Sequence, residues 1–363
     1  MVVPSLVFQA TLVGGGYATG RELVEFFLQL GPAASLMAVA VAVFAMSIVS
    51  AACFEFARVF AVYDYRLFFR KLLGRFWLAF EAAFLSLIVL ILSVLGSACG
   101  ELFAITFGVS PIWGVFLLLT TVGVLTYFGS RVIEITLATW SIFLCTAYGV
   151  LIVWTISVFD VPIHQVFAES VGLPSIIEIV GNGLTYAGYN VVAIVAVIFV
   201  ARHFARRSDA IIAGVLCGPL GMLPAVLLLV AMSAHYPQIN ELSLPIFYLI
   251  EKLQSPVFIV VMSIAIVGTL IQTGSAMLHS LNERISNVFA EHSRQMPKYM
   301  RAAISVTTLL VSVFLATSIG IVELISQGYT YITYVFYAVF LLPILTKGIW
   351  MIRNAGLEAT ERE

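Results

Sequence analysis

Apolar runs long enough to cross a bilayer follow one another along almost the whole chain, and they leave few other folds open. A helix needs about 20 predominantly apolar residues to span the hydrocarbon. In lipid only helices and closed barrels satisfy their own backbone groups. Setting the runs against the polar breaks gives ten expected spans, at 4–29, 33–58, 76–108, 111–129, 132–159, 174–202, 209–235, 255–288, 299–319 and 321–350. Composition agrees: 10% of the 363 residues are charged, against about 25% in a soluble domain. The expected fold class is an all-α integral membrane protein with ten transmembrane helices, one transmembrane domain over 1–363.

Arginine and lysine set the orientation. In a ten-span arrangement, 16 of the 18 basic residues fall on one side, Lys252 falls on the other, and Arg21 lies within span 1. The positive-inside rule then puts both termini in the cytoplasm. An error of one span would scramble this sorting, so it supports the span count as well. A multi-pass protein of a bacterial inner (cytoplasmic) membrane is expected. The N-terminus lacks a basic n-region, so a cleavable signal peptide is not. YRLFFRKLL (65–73) and LPIFYLIEKLQ (244–254) read as short surface helices, one on each side.

Several function classes lose their footing here. The net charge of −1 gives a nucleic-acid partner no footprint. Cys53, Cys99, Cys145 and Cys217 all sit in apolar segments without a CxxC pair, and the five histidines show no ligand spacing. Without a nucleophile–base–acid constellation, no enzyme is expected, and no cofactor. Nothing implies an obligate protein partner. The partners to expect are the bilayer and a small-molecule solute.

One segment contradicts its surroundings. LVGGGYATGREL, residues 12–23, puts three consecutive glycines and an Arg-Glu pair into a membrane helix. Glycine weakens a helix and permits backbone angles other residues avoid. A break in mid-membrane frees N–H and C=O groups that lipid cannot satisfy, so it persists only where protein, solute or ion satisfies them. VGNGLTYAGYN (180–190) in span 6 echoes VGGGYATGRE (13–22): both read V-G-x-G, then Tyr-Ala and another glycine. Each copy opens one half of the chain, the halves being about 1–160 and about 174–350, with a short tail at 351–363. With five spans per half, the second copy runs the opposite way across the membrane. That is a 5+5 inverted repeat, with helices 1 and 6 broken at mid-membrane, and such glycine-interrupted pairs point to a transporter's binding site. A competing reading stays open: Gly16-x-x-x-Gly20 is also a GxxxG motif, which lets two helices pack closely.

On these residues the chain resembles the amino acid–polyamine–organocation (APC) transporter superfamily with its LeuT-type five-plus-five repeat. The GGGYATGRE segment is similar to bacterial YkvI-like membrane proteins. The resemblance implies a solute site at Gly14, Gly15, Gly16 and Tyr17 of span 1 and at Tyr186, Gly188, Tyr189 and Asn190 of span 6. It implies that Arg21 helps close an outer gate, with Glu323 of span 10 as its partner. Glu22 departs from the family pattern; it either neutralises Arg21 in a solvated vestibule or titrates itself. A tyrosine such as Tyr186 serves equally well by satisfying a neighbouring helix.

For a sodium site, the family pattern maps onto Ala265 and Thr269 of span 8, with carbonyl partners Ala10 and Val13. Gly268 stands where a second hydroxyl belongs, and Thr273 and Ser275 offer an alternative set, although a membrane threonine often bonds only its own helix. Glu81 and Glu101 in span 3, with Glu22 and Glu323, offer a proton route instead. Glu134 is a further charge near the start of span 5. The expected function is secondary active transport of a small amino-acid-like or amine solute by alternating access, coupled to Na+ or H+. A channel is the alternative within transport, and a non-transporting membrane receptor or assembly protein on the same fold is the alternative outside it.

Overall fold

The computed structural model describes residues 2–12, 14–128, 130–158, 166–167, 174–291 and 296–360. Every regular element among them is helical. In order these are α1 (Val2–Leu12), α2 (Gly15–Thr19), α3 (Arg21–Phe26), α4 (Pro32–Phe60), α5 (Tyr65–Leu73), α6 (Trp77–Phe107), α7 (Pro111–Phe128) and α8 (Ser130–Ser157). Next come α9 (Ile176–Asn190), α10 (Arg207–Ser233), α11 (Pro245–Lys252), α12 (Pro256–Glu291) and α13 (Lys298–Ser318). The last stretch, α14 (Ile321–Ala355), alternates α turns with π-wound segments at Leu324–Gly328, Tyr337–Leu341 and Ile344–Gly348. Seven of the described helical stretches are long and apolar enough to cross a membrane, and Val3–Leu12, Pro111–Thr126 and Phe143–Ser157 are shorter apolar helices.

Local chemistry sets the helix ends. Pro32 starts α4 at the position where its missing N–H costs nothing. Asp64 caps α5 by accepting the N–H groups of Arg66 and Leu67. Ser175 and Glu178 form a reciprocal capping box at the start of α9. Gly108 ends α6 in the left-handed conformation.

The helices pack as two groups. In one, α4 lies against α10 and α9, and α1 lies against α10; in the other, α6, α7, α8, α12 and α13 pack on one another. Small residues set the first group's spacing. A Cβ on Gly214 of α10 would come 2.2 Å from the Ala51 Cα of α4, and one on Gly218 would come 2.3 Å from the Val43 carbonyl oxygen. Without a hydrophobic drive between helices in lipid, this backbone proximity and the dispersion it brings hold the helices together. Ser47 and Ser5 donate to the carbonyls of Val215 and Ala213, adding polar ties across the same contacts.

The surface helix α5 joins the two groups. Its Phe68 and Phe69 are fully buried, against Phe56 of α4, Phe80 of α6 and Phe340 of α14. At its start, Tyr65 lies over one face of the Arg284 guanidinium, and Phe84 of α6 lies over the other, each 3.8 Å away. Arg284, near the end of α12, also pairs with Glu81 at 3.2 Å. Glu81 is thus one half of a partly buried ion pair. A planar guanidinium stacks between two rings where an ammonium does not. Arg284→Lys is therefore expected to lower the thermal midpoint of the detergent-solubilised protein although the charge is kept. An unchanged midpoint would mean that the stack contributes nothing.

Candidate functional site

The first helical stretch breaks where the glycines lead one to expect. α1 ends at Leu12, the Gly14 N–H turns back onto the Leu12 carbonyl at 2.8 Å, and α2 starts at Gly15. The short α2 ends at Gly20, whose φ of 75° is open to glycine and strained for other residues. Gly20 turns α3 away from the line of α2. The Tyr148 hydroxyl of α8 donates to the Ala18 carbonyl at 2.8 Å, satisfying an acceptor beside this bend.

The bend also brings Glu22 back over Gly16. A Cβ on Gly16 would fall 1.6 Å from a Glu22 carboxylate oxygen, so the absent side chain leaves the space that the carboxyl fills. The Tyr189 hydroxyl donates to this carboxyl at 2.8 Å. Tyr329 faces the same carboxyl and stacks on Tyr189, ring centroids 4.5 Å apart. Phe26, Phe27 and Tyr186 close the cluster, and Tyr186 is fully buried with its hydroxyl lacking a well-formed hydrogen bond. Residues from α3, α9 and α14 thus meet around one carboxyl that has no basic side chain in hydrogen-bonding contact among the described residues.

Arg21 points elsewhere. Its guanidinium pairs with Glu25 at 2.6 Å and donates to the carbonyls of Asn240 and Leu242, beyond α10. The expected Arg21–Glu323 pair is not formed; Glu323 is exposed at the start of α14. Glu25, one helical turn from Arg21, is the nearer partner by simple i,i+4 geometry. Arg21 and Glu22 are 3% and 5% exposed, so the cluster is sealed on this side.

Below the seal lies a cavity of about 310 Å3 between α1, α8, α10 and α12. Gly14 and Tyr17 line it at the break, with Ala10 from α1 and Thr269 from α12. Gln9, Gln272 and Tyr148 add polar groups that the sequence did not single out. Val3 and Leu6, on one face of α1, are 67% and 46% exposed, as apolar side chains turned to lipid are.

The remaining expected residues divide sharply. α9 does not break at its glycines, contrary to expectation; it runs unbroken through Asn190 and only then tightens into 3-10 and short α turns as far as His203. The glycines there serve close packing: a Cβ on Gly183 would meet the Ala38 carbonyl at 2.4 Å, and one on Gly188 would meet Thr333 at 2.4 Å. The Asn190 amide donates to the Tyr186 carbonyl of its own helix.

The sodium pattern is filled at one of its places. The Thr269 hydroxyl donates to the Ala265 carbonyl, and the Trp140 ring occupies the space beside Gly268. Thr273 lies against Gly14. Ser275 lines a separate groove, and Glu101 lies on α6 at neither the cavity nor the Glu22 cluster. Val13 and the Glu134 side chain lie outside the described residues.

No protein-family model and no curated protein sequence matches this chain. Its structure is similar to several solved transporters. The manganese transporter of Eremococcus coleocola aligns with a TM-score of 0.60 at 12% identity, over 94% of this chain and 77% of that one. A Na+-coupled sialic acid symporter aligns with a TM-score of 0.55 at 13% identity, over 95% and 85%. The nucleobase-cation-symport-1 family transporter Mhp1 aligns with a TM-score of 0.55 at 16% identity, over 98% and 92%. These are LeuT-fold proteins, and the chain shares that fold.

Proposed function

We propose that this protein is a secondary active transporter of a small amino-acid-like or amine solute, working by alternating access in a bacterial inner membrane. The observation that carries this reading is the broken helix at Leu12–Gly15, opening onto the cavity between the two packing groups. A half-helix end and freed carbonyls at such a break serve solutes and ions in transporters with discontinuous helices. The seal around Glu22 closes the site on one side, which fits a molecule with access from a single side at a time. Membership of the APC superfamily, near the YkvI-like proteins, ten crossing helices in a 5+5 inverted repeat and cytoplasmic termini belong to the same reading.

For the coupling ion, the geometry favours a proton. At the sodium pattern Gly268 supplies no hydroxyl and the Trp140 ring fills the place beside it, which leaves the Thr269 oxygen as the one hydroxyl of the pair. Glu22 is a buried carboxyl held by a tyrosine hydroxyl, a group able to take up and release a proton as the cluster closes and opens.

The test is thermal stabilisation of the purified protein across amino acids and amines, each with sodium, with potassium and at two pH values. A solute-dependent shift that follows pH and ignores sodium is expected. A shift that requires sodium would remove the proton assignment. If no solute of the panel shifts the protein and none is taken up by proteoliposomes, transport of this solute class is rejected.

A further inference from the structure

The connection between α4 and α6 carries a charge pattern that the candidate site does not use. Residues 65–80 hold four basic side chains, Arg66, Arg70, Lys71 and Arg75, and no acidic one. α4 and the stretch containing α6 are each long and apolar enough to cross a membrane, so α5, which joins their ends, lies at a membrane surface. At about 100° per residue, Phe68, Phe69 and Leu72 fall on one side of α5, and Leu67, Arg70 and Lys71 fall on the other. The first three are fully buried and the second three are exposed. In the turn into α6, Arg75, Phe76 and Leu78 are exposed as well.

Each of these cations lies against a ring. The Arg66 and Arg70 guanidiniums are 5.3 and 4.8 Å from the centre of the Trp77 ring. The Lys71 ammonium is 4.9 Å from that of Phe60, and the Arg75 guanidinium is 5.0 Å from that of Phe76. Aromatic rings beside long basic side chains suit the boundary between headgroups and hydrocarbon, where the stem is apolar and the tip is wet. The acidic side chains that flank the segment are engaged elsewhere: Asp64 caps α5, Arg58 holds Glu55, and Arg284 holds Glu81. Leu67 stands between Arg70 and Lys71 on the exposed face, and Phe76 and Leu78 follow Arg75. A soluble phosphate would leave these apolar side chains in water. A phospholipid covers them with its glycerol and acyl region while its phosphate meets the cations.

We propose that the exposed face of α5 and the turn into α6 seat an anionic phospholipid, whose phosphate meets Arg70, Lys71 and Arg75. Clusters of about four to eight basic residues on an amphipathic helix beside a membrane span recognise anionic headgroups in this way. An arginine fork suits phosphate oxygens, and a lysine adds a point charge. The proposal stands on the surface helix alone and does not depend on what the protein transports. The seat lies on the back of the element that joins the two packing groups, since Phe68 and Phe69 reach Phe56 of α4, Phe80 of α6 and Phe340 of α14. A lipid held there ties the outer face of α5 to the bilayer while its inner face is wedged between the groups. Binding to the folded state alone raises its stability by mass action.

The test measures the thermal midpoint of the full chain in a neutral detergent, with phosphatidylglycerol, with phosphatidylcholine of the same acyl chains, or with inorganic phosphate. Phosphatidylglycerol is expected to raise the midpoint by several degrees, and the other two are expected to leave it in place. The triple variant Arg70→Gln/Lys71→Gln/Arg75→Gln is expected to lose most of that increment, whatever its own starting midpoint. Arg202→Gln/Arg206→Gln/Arg353→Gln removes the same charge at other exposed positions and is expected to keep the increment. An equal rise with phosphatidylcholine or with inorganic phosphate overturns the anionic-lipid assignment, as does no rise at all. An increment that survives in the first triple variant, or falls equally in both, overturns α5 as the seat. Lys71→Gln and Arg75→Gln made singly carry the same test should the triple variant not fold: each is expected to raise the phosphatidylglycerol concentration for half-maximal shift several-fold. Unchanged half-maximal concentrations in both overturn the proposal.

Discussion

Gly214→Val is expected to cost the protein its fold rather than its activity alone. A Cβ at this position would lie 2.2 Å from the Ala51 Cα and 2.4 Å from the Ala51 nitrogen. Those are backbone atoms of α4 and have no rotamer into which to retreat. Two long helices must separate to admit the valine, and Gly218, one turn on, then loses its own close approach to Val43. Overpacking a tight core costs about 1–3 kcal/mol where side chains can adjust; here only backbone can move, so the cost falls at or above the top of that range. Gly181→Val is the control, because a Cβ there meets nothing within 4 Å. Thermal unfolding and elution profile in detergent separate the two. A Gly214→Val protein as stable as Gly181→Val would mean that the α4–α10 contact is looser than its geometry states.

Gly16→Ala is expected to act as a mutation of Glu22. The added methyl claims the space of the Glu22 carboxyl, which is the end of a flexible side chain and can swing away. Leaving, it gives up the bond from Tyr189 and its place beside Tyr329. The fold is then preserved while the seal loses the group that joins α3 to α9 and α14. Gly16→Ala and Glu22→Gln are each expected to abolish pH-gradient-driven uptake into proteoliposomes, and the double variant to be no worse than either. Residues acting through one contact show such non-additivity. Full activity in Gly16→Ala alongside inactivity in Glu22→Gln would show that Glu22 works from some other position than the one over Gly16.

The two glycine segments show how far a motif can be read. In VGGGYATGRE the glycines act separately, with Gly14 at the break, Gly16 under a carboxyl and Gly20 at a left-handed turn. The GxxxG spacing of Gly16 and Gly20 is not used to pack two helices; that role falls to Gly214 and Gly218, whose identical spacing in α10 passes without notice in sequence. In VGNGLTYAGYN the same letters sit in an intact helix that satisfies its own backbone, and Gly183 and Gly188 serve the close approach of neighbouring helices. Glycine permits both a break and a close approach, and only the neighbours decide between them.

The all-helical, membrane-spanning character of the chain, the break in the first helix and the polar residues that lipid would not tolerate unpaired are legible without a structure. They follow from local composition, because a bilayer imposes the same demand on every segment regardless of its neighbours. The partners of those polar residues are not legible in that way. Arg21 turned to Glu25 and two loop carbonyls instead of Glu323, Glu81 met Arg284 from 203 residues away, and Tyr148 and Tyr329 arrived at the break and the seal from distant helices. Which side chains face each other across a helix bundle depends on crossing geometry and on where small residues let backbones approach, and neither is written in the polarity of a single span.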